Sequence, residues 1–195
     1  MADPELMGRM APLIERFTAL CDTYGVGMLS EGGTFEAFKN QQLPVEALSG
    51  RRVLELPEGW AFKTDPDNVG ESQGWFKRPP DDSWKPISIL QAWEPQGYDR
   101  YDGYAWYTVE VDVPEIEAKT VWLLCGAVDE TFDLWINGQP AGERKGNPQS
   151  IWDKPAAIDV TGKLVPGREN RITMRVHDVG YAGGIWKPIW ITASP

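Results

Sequence analysis

Histidine, cysteine and clustered basic residues are what this sequence has least of. Its 195 residues include one histidine and two cysteines, and 19 Lys and Arg stand against 29 Asp and Glu, giving a formal net charge of −10. Nucleic-acid binding needs clustered Lys and Arg, whereas basic runs such as Arg51-Arg52 and Arg144-Lys145 are short. No stretch of about 18 apolar residues is present to cross a membrane. The composition therefore predicts no nucleic-acid partner and no membrane partner.

The two cysteines lack a metal-binding pattern, and the first residues lack a signal-peptide pattern. Cys21 and Cys125 are not at metal-ligand spacing and lie in segments of different character. We interpret both as free, buried thiols, with a disulfide between them as the alternative. Residues 1–10, MADPELMGRM, carry no signal-peptide pattern. If the parent protein is secreted or periplasmic, we expect this chain to be a mature or excised piece, and the localisation stays open.

Tryptophan is abundant, with ten residues in a chain that is 42% hydrophobic and contains 20 Gly and 16 Pro. The length and the apolar content predict one domain with a substantial core. Many Trp residues fit two interpretations, aromatic core layers or a surface that stacks sugars. We favour core for most of them, because large aromatic side chains are usually well buried.

The pattern of apolar residues divides the chain at residue 50. Residues 12–24 predict an amphipathic helix, with apolar side chains at helical spacing and Gly25 as a natural stop. Residues 27–50 have little periodicity and are interpreted as a connector. We therefore expect residues 1–50 to form a helical extension and residues 51–195 to form a separate β domain.

From residue 51 onward, strands alternate with turns. Residues 107–113, 120–125, 132–136, 171–177 and 185–191 predict strands. Asn137-Gly138 is a strong hairpin signal, because both residue types tolerate positive φ. Pro188 inside the last predicted strand favours an edge position or a bulge. Strands spaced about ten residues apart predict an all-β sandwich.

Four segments, taken in order, resemble the N-terminal sugar-binding domain of glycoside hydrolase family 2. They are 101-YDGYAWYTVEVDVP-114, 121-VWLLCGAVDETFDLWINGQPAGERKG-146, 158-IDVTGKLVPGRENRITMRVHD-178 and 183-GGIWKPIWI-191. The segment 60-WAFKTDPDNVGESQGWF-76 is similar, less specifically, to the first strand and loop of such domains. The resemblance implies a jelly-roll sandwich of the galactose-binding type.

The same resemblance implies that the chain lacks catalytic machinery. The family's catalytic carboxylates belong to a separate barrel domain, which 195 residues do not accommodate. In β-galactosidases of the family, the loop before the GGI strand carries an Asp into the sugar pocket. That loop is short here, 178-DVGYAGG-184, and Asp178 is the residue that corresponds to it. Lys187 stands where the family usually has Arg.

Sugar contact is the function that the loop residues favour. In 93-WEPQGYDRYDGYAW-106, aromatic and acidic side chains alternate without strand or helix periodicity, which suits ring stacking and hydroxyl recognition. We predict a carbohydrate site formed by eight residues of three loops: Trp93, Tyr98, Tyr101, Asp102, Tyr104, Trp152, Asp178 and Tyr181. In the alternative, Tyr98 and Tyr101 pack against the extension, and Trp186 and Trp190 are core or interface.

Other candidates for chemistry have simpler explanations. The carboxylate pairs Asp129-Glu130 and Glu110/Asp112 are expected by chance among 29 acidic residues. His177 falls on the polar face of its strand, and a triad would also need an activated nucleophile. Residues 65–71, DPDNVGE, begin like an EF-hand but lack its later ligands, so we interpret them as a turn. We predict no cofactor, with a structural Ca²⁺ as the alternative.

The sequence thus favours a non-catalytic, carbohydrate-binding accessory domain that acts with a glycoside hydrolase. One alternative is a structural domain that packs against a catalytic barrel or partner without binding sugar. A small esterase is the weakest hypothesis.

Overall fold

A computed structural model of the chain describes residues 43–44, 47, 50–147 and 151–195. The predicted helix at 12–24, Cys21 and most of the connector lie outside these residues. In the described ranges, no helix is long and apolar enough to cross a membrane. The strands are β1 Arg51–Glu55, β2 Gly59–Asp65, β3 Lys85–Ser88, β4 Gly103–Val113, β5 Thr120–Cys125, β6 Val128–Asp129, β7 Thr131–Ile136, β8 Gln139–Arg144, β9 Ala156–Asp159, β10 Arg168–Asp178, β11 Gly184–Ile185 and β12 Ile189–Ser194. Two 3₁₀ turns, Trp75–Lys77 and Glu94–Gln96, interrupt the connections.

Two antiparallel sheets form a sandwich, which confirms the predicted all-β class. One sheet has the order β1-β12-β5-β9, and the other has the order β3-β2-β4-β10-β7-β8. A small pair, β11-β6, stands beside them. The apolar faces of the two larger sheets meet in one buried cluster that includes Phe62, Tyr107, Leu123, Met174 and Ile191.

Strands β4 and β10 form the centre of the six-stranded sheet. They pair over their full length, from Val113 opposite Arg168 to Gly103 opposite Asp178. The strand predicted at 107–113 is confirmed as part of β4, and its side chains Tyr107, Val111 and Val113 are buried toward the other sheet. This long pairing fixes the positions of both ends of the sandwich relative to each other.

The hairpin at Asn137-Gly138 is confirmed. Asn137 has φ 52° and Gly138 has φ 75°, the left-handed conformation that a two-residue turn of this kind requires. The Asn137 side chain accepts the Arg171 N–H at 2.9 Å and donates to Asn170 Oδ1 at 2.8 Å. The hairpin is thereby joined to the start of β10.

A second aromatic layer covers the outer face of the six-stranded sheet. Trp106 lies 5.1 Å from Trp135 between ring centroids, and Phe76 from the first 3₁₀ turn stacks 4.8 Å from Trp135. Asp65 fixes this layer, because its Oδ2 accepts the Trp106 indole N–H at 2.8 Å. Arg175 lies across the layer and pairs with Asp133 at 2.7 Å. Several tryptophans are therefore packing residues, as the sequence favoured.

The last predicted strand, 185–191, is divided in two. Ile185 ends β11, and Ile189 begins β12 opposite Cys125. Strand β12 lies inside its sheet between β1 and β5, so Pro188 is not at an edge. Ile185 is opposite Val128 and Ile189 is opposite Cys125, so the three residues 186–188 oppose the two residues 126–127, which agrees with the predicted bulge. Proline has no N–H for the ladder, and here it lies between the strands, where its carbonyl accepts the Gly126 N–H at 2.9 Å.

The edges of both large sheets carry irregular features. The six-stranded sheet ends in β3 and β8, which contain Pro86 and Pro140. The register of β8 against β7 shifts at Trp135, and the register of β1 against β12 shifts after Arg52. The remaining edge, β9, has four residues.

Candidate functional site

The candidate site lies at the end of the sandwich where β10 ends at Asp178. Strand β6 lies at this end and pairs with β11, with Asp129 opposite Gly184. The two segments that the sequence singled out, 93–106 and 178–184, both reach this end, because the backbone N–H of Trp93 donates to Gly183 O at 3.0 Å. Side chains from β6 and from these two segments can therefore meet here.

Three carboxylates are buried together at this end. Asp129, Glu130 and Asp178 are 4%, 5% and 1% exposed, and one oxygen from each lies within 4.8 Å of the others. Glu130 Oε2 accepts the Val179 N–H at 2.9 Å, and Asp178 Oδ1 accepts the Gly180 N–H at 2.8 Å. Asp129 Oδ1 and Asp178 Oδ2 have no hydrogen-bond partner among the described residues.

Burial shifts the ionisation of this carboxylate cluster, formed by Asp129, Glu130 and Asp178. Burial, reinforced by the charges of Asp178, Glu130 and Glu94, raises the pKa of Asp129 to about 8. Burial also raises the pKa of Asp178 to about 6, against a lowering by its hydrogen bond from Gly180. Burial raises the pKa of Glu130 as well. The pair Asp129-Glu130, which the sequence analysis attributed to chance, is thus in an unusual electrostatic setting.

Arg144 is the cation whose charge lowers the pKa of Asp129. Among the described residues its guanidinium is held by backbone carbonyls and pairs with no carboxylate. It donates to Lys154 O at 2.9 Å and also to Ile151 O. The cluster therefore retains an excess of acidic groups.

An exposed aromatic pair lies beside β6 and β11. Trp152 is 47% exposed, and its ring stacks on Trp186 with centroids 5.9 Å apart at 26°. Lys187 Nζ lies 4.5 Å from the Trp186 ring centroid, and the backbone N–H of Trp186 donates to Ala127 O at 3.4 Å. From the sequence, Trp186 was interpreted as a core or interface residue. Its place in the pair depends on the loop that brings Trp152 over it. We refer to Trp152 and Trp186 as the indole pair.

The predicted sugar residues fall into two groups. Trp93 is 0% exposed, and Tyr98 and Tyr101 pack edge-on against Phe62 and Trp93. The Tyr101 hydroxyl donates to Tyr104 O at 2.5 Å. These rings support the loop and offer little or no face to a ligand in this conformation.

The other predicted residues are nearer to solvent, except for Asp178. Tyr181 is 99% exposed with φ 76°, and Asp102 is exposed. Tyr104 is half-buried and stacks on His177 with centroids 4.1 Å apart. Asp178 belongs to the carboxylate cluster. The surface available to a ligand therefore comes from Trp152, Tyr181 and Asp102.

The structure also describes the 65–71 loop and Cys125, for which the sequence gave interpretations. In the 65–71 loop, both Asp65 oxygens accept protein N–H groups, from Val69 and from Gly70, each at 2.8 Å. These contacts are those expected for the turn that the sequence indicated. Cys125 is buried and free, and burial raises the pKa of its thiol to about 12.

Comparisons with known proteins point to one group of enzymes. No family model matches the chain. A curated β-glucuronidase from Paenibacillus borealis is 30% identical over 133 residues, which are 66% of this chain and 22% of that enzyme. The chain thus spans about a fifth of the length of this relative.

Solved structures of a β-glucuronidase also match the chain. The crystal structure of Ruminococcus gnavus β-glucuronidase matches with a TM-score of 0.65 at 18% identity, covering 75% of this chain and 29% of that one. The same enzyme in complex with N1-substituted uronic isofagomine matches with a TM-score of 0.66 at 18% identity, covering 80% and 32%. At this identity, the structural likeness shows a shared fold.

Proposed function

We propose that this chain is a non-catalytic, carbohydrate-binding accessory domain of the kind found at the N-terminus of glycoside hydrolase family 2 enzymes. The observation that carries the sugar contact is the indole pair, with Trp152 47% exposed on a stacked Trp186. The similarity to β-glucuronidases over a fifth of their length supports the assignment to an accessory domain. The four family-like sequence motifs, which end in 183-GGIWKPIWI-191, support it as well.

The indole pair has the properties that sugar stacking needs. The C–H face of a pyranose packs on an aromatic ring, and a ring held by a second ring keeps its orientation without the ligand. Lys187 beside Trp186, and Lys154 in the neighbouring loop, supply donors for hydroxyl or carboxylate groups. Tyr181 offers a further ring at the same end of the sandwich.

A hydrolytic role is less favoured by the same geometry. Retaining glycosidases place two carboxyls about 5–5.5 Å apart, and the carboxylate cluster is of comparable size. However, its three residues are at most 5% exposed, so a sugar ring would not reach them without a rearrangement. We therefore propose binding without turnover.

Tryptophan fluorescence of the intact chain tests sugar binding. We would titrate it with galactosides, glucosides, mannosides, uronic acids and their oligomers, and we expect a saturable change with one class. Trp152→Ala should weaken binding at least about tenfold, since covering one indole face (~60 Å²) contributes roughly 1.5 kcal/mol. Val165→Ala is the matched control, because Val165 is 45% exposed and lies near the start of β10, at the other end of the sandwich.

A flat response across the panel would contradict the proposal and favour a second one. In that case the exposed Trp152, Val179 and Tyr181 would form a surface that packs against a catalytic domain or partner. The similarity to part of a larger enzyme supports this alternative. It predicts that Trp152→Ala weakens association with the partner domain and leaves sugar titrations unchanged.

A further inference from the structure

The carboxylate cluster is a second feature of the sandwich end, separate from the indole pair. Burying a carboxylate is costly unless a counter-charge or hydrogen bonds compensate. In the part of the chain that the structure describes, the ion pairs include none of Asp129, Glu130 and Asp178. Three buried acidic groups thus share one place without a paired cation.

Two carboxylate oxygens of the cluster have no protein partner. Asp129 is 96% buried and Asp178 is 99% buried, yet Asp129 Oδ1 and Asp178 Oδ2 accept no hydrogen bond from any described residue. Buried polar atoms are nearly always satisfied in folded proteins. An unsatisfied pair of oxygens that belongs to one cluster points to a ligand that the described residues do not supply.

The surrounding backbone holds the cluster in a fixed arrangement. Val179 N–H holds one oxygen of Glu130, and Gly180 N–H holds one oxygen of Asp178. Each of these side chains therefore keeps its second oxygen for another contact. Arg144, the cation whose charge acts on Asp129, donates to the carbonyl oxygens of Ile151 and Lys154.

The spacing of the oxygens matches a metal ion. The three ligand oxygens lie within 4.8 Å of one another. Ca²⁺ binds oxygen ligands at about 2.3–2.6 Å, so two oxygens on opposite sides of one ion are about 4.6–5.2 Å apart. A set made only of carboxylate oxygens selects hard cations over those that prefer nitrogen or sulfur.

We propose that Asp129, Glu130 and Asp178 bind one hard divalent cation of the Ca²⁺ class. The ion joins the turn between β6 and β7 to the end of β10, and so fixes the 178–183 loop that leads into β11. It neutralises two of the three negative charges. The proposal is independent of sugar binding, because the indole pair contributes no ligand.

Thermal unfolding of the intact chain tests the site. The chain is first treated with EDTA and then melted with Ca²⁺, Mg²⁺ or Mn²⁺ alone. At a concentration 100-fold above Kd, we expect the midpoint to rise by about 5–10 °C. Calorimetric titration with Ca²⁺ should give one ion per chain. Tb³⁺ should show sensitised luminescence, because the Trp93 ring packs against Gly184, which pairs with Asp129.

Two variants and two controls make the test specific. Asp178→Asn and Asp129→Asn should each melt at least as high as the original chain in EDTA, because a neutral amide avoids the cost of burying an ionisable carboxyl group, and each should lose the response to the ion. Asp112→Asn, at an exposed position of β4, should keep the full response. Trp152→Ala should also keep it, whatever its effect on sugars.

Three results would overturn the proposal. The first is a midpoint that none of the three ions raises, with no Tb³⁺ luminescence. The second is a rise of equal size in Asp129→Asn or Asp178→Asn. The third is a calorimetric titration without a saturable site, which decides the matter even if both variants fail to fold.

Discussion

Asn170 joins the hairpin turn to the central strand, and its removal tests how this end of the sandwich is held. Its side chain is 1% exposed and makes four hydrogen bonds. Oδ1 accepts from Asn137 Nδ2 and from Val165 N–H, each at 2.8 Å. Nδ2 donates to Val165 O and Arg168 O, each at 2.9 Å. Asn170→Ala removes all four contacts at once.

The expected loss follows from the count of contacts. Each hydrogen bond contributes about 0.5–1.5 kcal/mol net. Asn137, Val165 and Arg168 are at or near the surface, so water replaces part of what is lost. We therefore expect a loss of about 3 kcal/mol in the free energy of unfolding, near the lower half of the sum. For a chain of this size, the melting midpoint should fall by about 6–12 °C.

Urea unfolding monitored by tryptophan fluorescence measures this loss. Asn170→Asp is the informative companion variant, because it keeps both acceptor contacts of Oδ1 but places a second carboxylate oxygen against the carbonyl oxygens of Val165 and Arg168. At neutral pH it should be at least as unstable as Asn170→Ala, since it also buries a charge without a counter-charge. An alanine variant within about 0.5 kcal/mol of the original chain would refute the reasoning, since surface substitutions commonly have effects of that size.

Two further predictions concern ionisable groups. Cys125 should react with a thiol reagent at pH 8 only after unfolding, because the side chain is buried and its pKa is raised to about 12; fast reaction in the folded state would contradict this. The stability of the chain in EDTA should fall as pH rises from about 4 to about 8. In that window the folded state keeps a proton on Asp129 that the unfolded state has released, because the folded pKa is about 8 and the ordinary value is 3.8. Chemical unfolding at several pH values should show a weaker fall for Asp129→Asn, and identical slopes would count against the raised pKa.

Much of the fold was predictable because it depends on local patterns. The alternation in 107–113 and the Asn137-Gly138 turn are set by side-chain direction and by backbone conformation, both of which are local. For Pro188 the sequence left an edge position and a bulge as alternatives. The effect of proline on the ladder is local, but the choice between the alternatives depends on the long-range pairing of β12 with β1 and β5.

The site was predictable only in part. The sequence favoured Trp152 and Tyr181 because they are aromatic residues in loops, and the structure leaves both exposed. Trp93 has the same sequence character, but Gly183 leaves room for its ring at the core. The carboxylate cluster was missed, because Asp178 meets Asp129-Glu130 only through a β10–β7 pairing across 49 residues. No local pattern reports such a meeting.

The irregular sheet edges affect how this domain associates with other proteins. A regular exposed edge strand is a template for another chain, and aggregation often begins there. Pro86 and Pro140 each remove a donor from the outer strands of the six-stranded sheet, while a register shift and short length interrupt the other two edges. Crowded beside other β-rich domains, at high concentration or during synthesis, this sandwich is poorly suited to extend its sheets into a neighbour. Its associations would instead be made by side chains at its ends and faces.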